Sequence, residues 1–426
     1  MGEKILDNQN DDPIIPATFD ERADEILEAT VLPDDLIPTD EVRTVEKEFP
    51  RRSLVGALVH VISSSWECLF GLVSLVIGLA IIATIPVVQL LSLGYLLEVS
   101  GRMARTGRLS DGFVGVRKAA RVGSMVAGAW LVLLPLRFLS SLWYSAKLID
   151  PDSRESVFWE VVLYVAITLG ALHILWAWFR GGRLRHFLWP APIRFCRWLG
   201  EPNKLTRASD GLWEFVASLR LGYYFRLGLV GFLGTIVWLL FPVLCYVSSI
   251  EAETGVGVMM GLVGGLAFGF VVFHLPFVQA EYAVDGDWWR LFDFKIAWRD
   301  WYRAPIFCLM TLVVTLAFAL PLYLLKIELT PRQVTYLPSL LFVGFALPSR
   351  FMQGWTVARA IRKDKPRRWW RTSIFLMCLG PAFVAAGIYA FIAFFTRYTS
   401  WYGAWSLLEQ HAFLVPVPFT GSGVDF

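Results

Sequence analysis

The chain has 426 residues, of which 56% are hydrophobic and 18% are charged, and its formal net charge is +3. Soluble domains carry about 25% charged residues, so this chain has too few charges to cover a water-facing surface. The composition therefore excludes an ordinary soluble globular protein. It predicts an all-α fold, a polytopic transmembrane helical bundle with amphipathic helices at the membrane interface.

Residues 1–52 form an acidic segment that is poor in apolar residues. Pro13, Pro16, Pro33 and Pro38 interrupt any long helix. A segment of this composition cannot bury enough apolar surface to order itself. We expect a largely disordered tail, with a docking tail for a basic partner as the alternative.

Residues 53–99 hold enough apolar sequence for one long crossing or two short ones, because one crossing needs about 20 residues. Pro86 is a natural break. A single crossing would translocate the acidic tail together with Arg51 and Arg52, which is unfavourable. We therefore favour two crossings, and one crossing stays the alternative.

Further apolar runs fit single helices, so the membrane domain, residues 53–396, is predicted to hold about eight transmembrane helices. Residues 397–426 are expected to form an external interfacial tail, anchored by Trp401, Tyr402 and Trp405. The runs lie at 124–146, 157–179, 227–249, 256–280, 305–325, 334–355 and 373–396.

Basic and non-basic connections alternate along the chain, and the basic ones are 99–122, 181–222, 281–304 and 356–372. The positive-inside rule makes these loops cytoplasmic. Anionic headgroups are their expected partners, at about 1 kcal/mol for each basic residue near the surface. The candidate lipid-contacting residues are Arg102, Arg105, Arg108, Arg183, Arg185, Arg367 and Arg368.

Two short echoes favour an internal duplication of four plus four helices. Pro86-Val87-Val88-Gln89 is similar to Pro276-Phe277-Val278-Gln279, and Ser110-Asp111-Gly112 is repeated as Ser209-Asp210-Gly211. Asp or Ser beside Gly is a helix-start signal. The alternative is that all cytoplasmic hairpin turns recruit Asp, Gly and Pro.

The central parts of the predicted helices look almost free of ionisable side chains, which mark pathways in transporters. The most interesting polar cluster is His274, Gln279 and Glu281, with Gln89 as the related position in the first half. For His274 the modest alternative is a hydrogen bond to a backbone carbonyl freed by Pro276. Glu98 lies four residues before Arg102, so an i,i+4 ion pair is expected at the interface.

Other motifs argue against enzymatic chemistry. The five cysteines are isolated, and neither a nucleotide-binding glycine loop nor a hydrolase motif is present. The glycines between Gly255 and Gly269 predict close helix packing instead. We expect no enzyme activity, no cofactor, no metal and no nucleic acid partner.

The segment Leu93-Gly94-Tyr95-Leu96-Leu97-Glu98-Val99 is followed by Arg102, Arg105 and a turn from Gly107 to Gly112. This pattern resembles an uncharacterised family of prokaryotic multi-pass membrane proteins, a domain of unknown function. The resemblance covers residues 85–135. It implies a multi-pass topology in a prokaryotic plasma membrane, and it implies no activity and no site residues.

Two functions are compatible with these patterns. The leading hypothesis is a non-enzymatic membrane scaffold or interaction protein, whose basic cytoplasmic face binds anionic lipid, a protein partner or a second copy of the chain. The alternative is a transporter or channel for a small solute, with a polar cavity near the midplane lined by Gln89, Gln279 or His274. A membrane enzyme acting on lipids is a third possibility.

Overall fold

The computed structural model describes residues 54–200, 204–251, 254–324, 336–362, 369–399 and 413–414. Within these ranges the chain is helical and contains no strand, which agrees with the predicted all-α class. The chain divides into two units, residues 1–60 and 61–426. Of the first unit only the beginning of one helix is described, so the predicted acidic tail lies outside the described residues.

Long helices follow one another through the second unit, joined by short turns and, between residues 180 and 220, by shorter helices. Single 3₁₀ turns at Leu109–Gly112 and Trp288–Phe292 precede α3 and α10. The helices are α1 (Leu54–Ala83), α2 (Gln89–Thr106), α3 (Val116–Ile149), α4 (Arg154–Phe179), α5 (Leu184–Leu188), α6 (Pro192–Leu199), α7 (Lys204–Ser218), α8 (Leu221–Glu251), α9 (Thr254–Asp285), α10 (Phe294–Arg303), α11 (Pro305–Leu324), α12 (Tyr336–Arg362) and α13 (Trp369–Thr399).

Seven helical segments in the described part are long and apolar enough to cross a membrane, so the chain has the helices of a multi-pass membrane protein. The predicted run 334–355 corresponds to α12, which is long enough but carries Ser349, Arg350 and Gln353 and is not among the seven. The seven are Ser64–Ala83, Val116–Ile149, Arg154–Phe179, Ser209–Ser249, Gly255–Asp285, Pro305–Leu322 and Thr372–Phe395.

The stretch 53–99 contains two helices rather than one. The link between α1 and α2 includes Pro86, and the Ser92 hydroxyl donates to the Leu79 carbonyl at 2.8 Å, so α2 folds back against the end of α1. Helix α2 has 18 residues, about 27 Å at 1.5 Å per residue, and its last turns are polar. The break at Pro86 is confirmed, but α2 is shorter than the neighbouring long helices.

Helices α2 and α9 end side by side, which fixes how deep α2 begins. The Arg105 guanidinium donates to the carbonyls of Ala283 and Val284 at 2.9 and 2.8 Å, near the end of α9. At 1.5 Å per residue, the part of α2 that precedes this contact is about 20 Å shorter than the part of α9 that precedes it. Helix α2 therefore begins about 20 Å short of the other end of α9. The amino end of α2 therefore lies inside the bundle, near mid-depth.

Close helix contacts at glycine place α2 at the centre of the core, against α8, α9 and α12. A side chain at Gly94 would overlap the Tyr224 carbonyl, and one at Gly101 would overlap the Ala283 carbonyl. In the glycine-rich stretch where close packing was predicted, a Cβ on Gly264 would lie 3.0 Å from the Cys245 Cβ, but one on Gly255 or Gly269 would meet nothing within 4 Å. The tightest packing thus involves glycines that the sequence did not single out.

The two halves show both agreement and difference. Gly107 and Gly286 end α2 and α9 in left-handed conformations, with φ of 65° and 73°, and a 3₁₀ turn follows each. Ser209-Asp210-Gly211, in contrast, lies inside α7 and does not precede a helix. The duplication itself stays a prediction.

The Gly94→Ala variant should lower the free energy of unfolding by roughly 1–3 kcal/mol or more, because overpacking forces backbones apart. The matched control is Gly387→Ala in α13, where a Cβ meets nothing within 4 Å. The control should be neutral, or more stable by up to about 1 kcal/mol. Thermal unfolding in detergent measures both, and equal stabilities would contradict the central placement of α2.

Candidate functional site

A buried arginine occupies the interior of the core. Arg350, in the middle of α12, is 4% exposed. Its Nη1 donates to Gln279 Oε1 at 2.8 Å and to Gln353 Oε1 at 3.0 Å, and its Nη2 donates to the Phe413 carbonyl at 2.9 Å. All three acceptors are uncharged, and none of the ion pairs among the described residues involves Arg350.

Both glutamine partners are held by further polar side chains. Gln279 Nε2 donates to Thr235 Oγ1 at 2.7 Å, and Gln353 Nε2 donates to the hydroxyl oxygens of Thr315 and Ser349, each at 3.3 Å. These contacts orient both amide oxygens towards the guanidinium. We call this set the Arg350 cluster; its members are Thr235, Gln279, Thr315, Ser349, Arg350 and Gln353.

A small cavity adjoins the Arg350 cluster. Its volume is about 20 Å³, room for about one water molecule. Leu93 and Leu96 of α2 and the buried pair Phe413–Leu414 line it together with Arg350. The chain's own residues therefore fill most of the space beside the guanidinium. The rest of the predicted external tail, 397–426, is described only as far as residue 399, and its external location stays a prediction.

The electrostatics of this region favour negative charge. Leu93 and Leu96, in the first two turns of α2, line the same cavity as Arg350. Burying a cation without an anionic partner costs several kcal/mol. The arrangement leaves a buried positive charge whose third acceptor is the neutral Phe413 carbonyl.

The four residues that were predicted to form a polar cluster lie in different surroundings; they are His274, Gln279, Glu281 and Gln89. Gln279 belongs to the Arg350 cluster, whereas Glu281 binds Arg299. Side chains two positions apart on a helix point about 200° apart, which separates the two. His274 packs among aromatic rings, with Nδ1 bonded to the Phe270 carbonyl at 2.8 Å.

Gln89 is buried at the start of α2, and its Oε1 has no hydrogen-bond partner among the described residues. The structure thus places Gln279 in a polar site and gives Gln89 no contact with it. The carbonyl that Pro276 frees would belong to the residue four positions before the proline. His274 bonds to the Phe270 carbonyl instead.

Two buried carboxyl groups form a second polar group at the end of α9. Arg299 Nη2 donates to Glu281 Oε1 at 2.5 Å and to Asp300 Oδ1 at 3.1 Å. Asp300 is fully buried, and its Oδ2 has no hydrogen-bond partner among the described residues. Burial, together with the nearby Glu281 carboxylate, raises the pKa of Asp300 to about 8 against the opposing effect of Arg299.

The predicted ion pair between Glu98 and Arg102 is confirmed, with Nε of Arg102 2.7 Å from Oε1. Glu98 is buried and also accepts from Arg105 at 3.0 Å and from the Tyr223 hydroxyl at 2.7 Å. The two arginines are only about a third exposed, so much of their hydrogen bonding is internal. This cluster ties α2 to α8.

Three of the remaining candidate lipid-contacting residues are less enclosed. Arg108, Arg183 and Arg185 are exposed, and Arg367 and Arg368 lie outside the described residues. Lipid contact by the whole set stays a prediction.

The sequence contains a signal for Arg350 that was not among the predicted site residues. Arg350 interrupts the apolar run 334–355, with Gln353 one turn later, and a charge within a membrane-length run is a default functional candidate. Asp300 gave a weaker signal, because its loop is rich in charges of both signs.

No family model, curated protein or solved structure matches the chain. Within the described part of the chain, no group of three or more His, Cys, Asp or Glu side chains is placed to hold a metal ion.

The Glu98→Gln variant should lose about 2–3 kcal/mol of stability, since it removes the charge that two partly exposed arginines share. Glu155→Gln, at an exposed carboxylate in the first turn of α4, is the control and should change stability by less than about 1 kcal/mol. Chemical denaturation in detergent compares the two. If Glu98→Gln were as stable as the wild-type protein, the cluster would not hold α2 and α8 together.

Proposed function

We propose that this chain is a membrane transporter for a small anion, which binds at Arg350. The observation that carries the proposal is the buried guanidinium whose acceptors are three neutral oxygens. Ionisable residues inside membrane bundles are costly and usually mark a substrate or ion pathway. A carboxylate or phosphate oxygen would satisfy the charge that the amide and carbonyl oxygens leave uncompensated.

The half-length helix supports the same function. Transporter sites are often built where a discontinuous helix begins near mid-depth, with its amino end directed at an anionic group. Helix α2 follows the Pro86 break, and Leu93 lines the cavity beside Arg350. The beginning of α2 and the Arg350 guanidinium thus border the same cavity.

The Phe413 carbonyl would take part in ligand exchange. It accepts from Arg350 at 2.9 Å and from Gln279 at 3.4 Å. A ligand oxygen would have to replace it, because the cavity of about 20 Å³ holds no more than about one water molecule. In this proposal the Phe413 carbonyl occupies the position that a ligand oxygen would take.

A second candidate function is the scaffold with a basic cytoplasmic face. It rests on the segment containing α5 and α6, where exposed Arg183 and Arg185 lie near exposed Leu188, Trp189 and Ile193. Apolar side chains flanked by arginines suit an interface with anionic headgroups. This surface is compatible with transport, and Arg350 has no role in it.

For the location, we propose a prokaryotic plasma membrane with the large basic loops in the cytoplasm. The charge alternation supports the orientation, and the resemblance of residues 85–135 supports the membrane. No enzyme activity and no cofactor are part of the proposal.

Anion binding should raise the thermal stability of the purified protein. At a ligand concentration of one hundred times Kd, the expected gain is about 2.7 kcal/mol. A panel of small carboxylates, phosphate and sulfate would be compared with neutral amides and alcohols of the same size, in a chloride-free buffer. Arg350→Met should abolish the gain, and Arg108→Met, at an exposed basic residue, should keep it.

Two results would contradict anion binding at Arg350. One is an equal gain from the neutral compounds. The other is an unchanged gain in Arg350→Met, provided that the variant folds.

Orientation can be checked by labelling single cysteines at Ser110→Cys and Glu253→Cys in a cysteine-free background. Helices α3, α4 and α8 lie between the two positions as long crossings, so a membrane-impermeant reagent should reach them from opposite sides. The Ser110→Cys position should react only from the cytoplasmic side. Reaction of both positions from one side would refute the proposed topology.

A further inference from the structure

Glu281 and Asp300 are two buried carboxyl groups that share one arginine. The Glu281 side chain is 3% exposed and the Asp300 side chain is fully buried, whereas Arg299 is 35% exposed. Arg299 Nη2 lies within hydrogen-bond distance of one oxygen of each. One cation therefore faces two acidic groups at the edge of the core.

Other charged groups near the pair leave this imbalance in place. Arg290 lies 3.8 Å from Glu281, but it is 2.7 Å from Asp285, a half-exposed carboxylate. Arg303 also acts on Asp300 through space, and it lowers the pKa of Asp300 less than Arg299 does.

The other helices packed against α10 bring no further charge to Asp300 among the described side chains. Helix α11 carries no charged residue. On α12, Arg350 lies in its own cluster, Arg359 lies over the Phe307 and Trp355 rings, and Arg362 donates to the Thr106 carbonyl. The side chain of Arg371 in α13 lies outside the described part.

A second, independent indication that this pair binds a proton is Oδ2 of Asp300, which has no hydrogen-bond partner among the described residues. Oδ2 is buried and has no donor among the described residues, although a carboxylate oxygen is a strong acceptor. An unpaired buried charge is far more costly than a neutral carboxylic acid. A proton on Asp300 removes that cost and leaves Arg299 to balance Glu281.

We propose that Glu281 and Asp300 form a proton-binding site, in which Asp300 holds the proton at neutral pH, and that this proton is the co-ion of the anion bound at Arg350. The co-ion part rests on the proposed function; the proton site does not. No bond other than the O–H of Asp300 forms or breaks, and the proton exchanges with water through the partly exposed Arg299 edge.

The two sites are mechanically connected. Gln279 and Glu281 lie on the same turn of α9, so that this turn contributes to both. Helix α10, which carries Asp300, packs against α9 and against α12, which carries Arg350. Protonation of the pair can therefore change the packing of the helices that hold the guanidinium.

The physical benefit of a co-ion is electrical. Moving one charge against a membrane potential costs free energy in proportion to that potential. An anion entering a cell that is negative inside works against this potential, whereas a univalent anion that moves with one proton transfers no net charge. The proton also supplies driving force when the outside is more acidic.

The proton itself can be observed by infrared difference spectroscopy of the purified wild-type protein at several pH values. A protonated buried carboxyl group gives a carbonyl-stretch band that shifts in D₂O. We expect this band at neutral pH, its loss as the pH rises through about 8, and its absence in Asp300→Asn. Asp285→Asn, at a half-exposed carboxylate, should keep it.

A band that persists unchanged in Asp300→Asn, or that is absent from the wild type at neutral pH, would overturn the proton site. If Asp300→Asn does not fold, Glu281→Gln replaces it. Removing the neighbouring negative charge should move the loss of the band to lower pH, and an unmoved transition would count against the shared site.

The coupling is tested by anion binding at different pH. Between pH 7 and pH 9 the protonated fraction of a group with this pKa falls about tenfold, so wild-type affinity for a small carboxylate should fall about tenfold. Asp300→Asn should bind without this pH dependence. A wild-type affinity that does not change with pH, in protein that shows the band, would overturn the coupling.

The outcomes separate the two proposals. If no anion binds at any pH, the function proposed for Arg350 fails, and the infrared band still decides the proton site. If anions bind through Arg350 but no band is present, the transporter proposal stands and the co-ion is excluded.

Discussion

The charge of Arg350, which no described acidic side chain pairs with, is the constraint on which the interior depends. A guanidinium cannot lose its charge in a protein, so its neighbours must provide oxygen atoms. Here α9 provides Gln279, α12 provides Gln353, and the segment after α13 provides the Phe413 carbonyl. Three separate parts of the chain thus converge on one cation. The cost of burying it is several kcal/mol.

The second determinant is the short helix α2. Glycine at Gly94 and Gly101 lets the backbones of α8 and α9 come close to it, while Glu98 binds α8 through Tyr223. The helix is therefore held at its polar end and begins near mid-depth. This placement puts Leu93 and Leu96 beside Arg350 and leaves the space that Phe413 and Leu414 fill.

Local patterns were enough to predict much of the fold. Apolar runs gave the all-α class and most long helices, Pro86 gave the break, and the i,i+4 spacing gave the Glu98–Arg102 pair. What failed depended on distant contacts or on helix period. Gln279 and Glu281 were grouped because they are close in sequence, but the α-helical repeat turns them to different neighbours. The burial of Asp300 and the approach of Phe413 to Arg350 arise from packing, for which the sequence has no short-range signal.

The most direct test of the account is an experimental structure of the wild-type protein with a saturating small carboxylate or phosphate. The account predicts an anion oxygen within hydrogen-bond distance of the Arg350 guanidinium, with the Phe413 carbonyl displaced from it. An unchanged bond between Arg350 and Phe413, with the anion absent or bound elsewhere, would contradict the central claim.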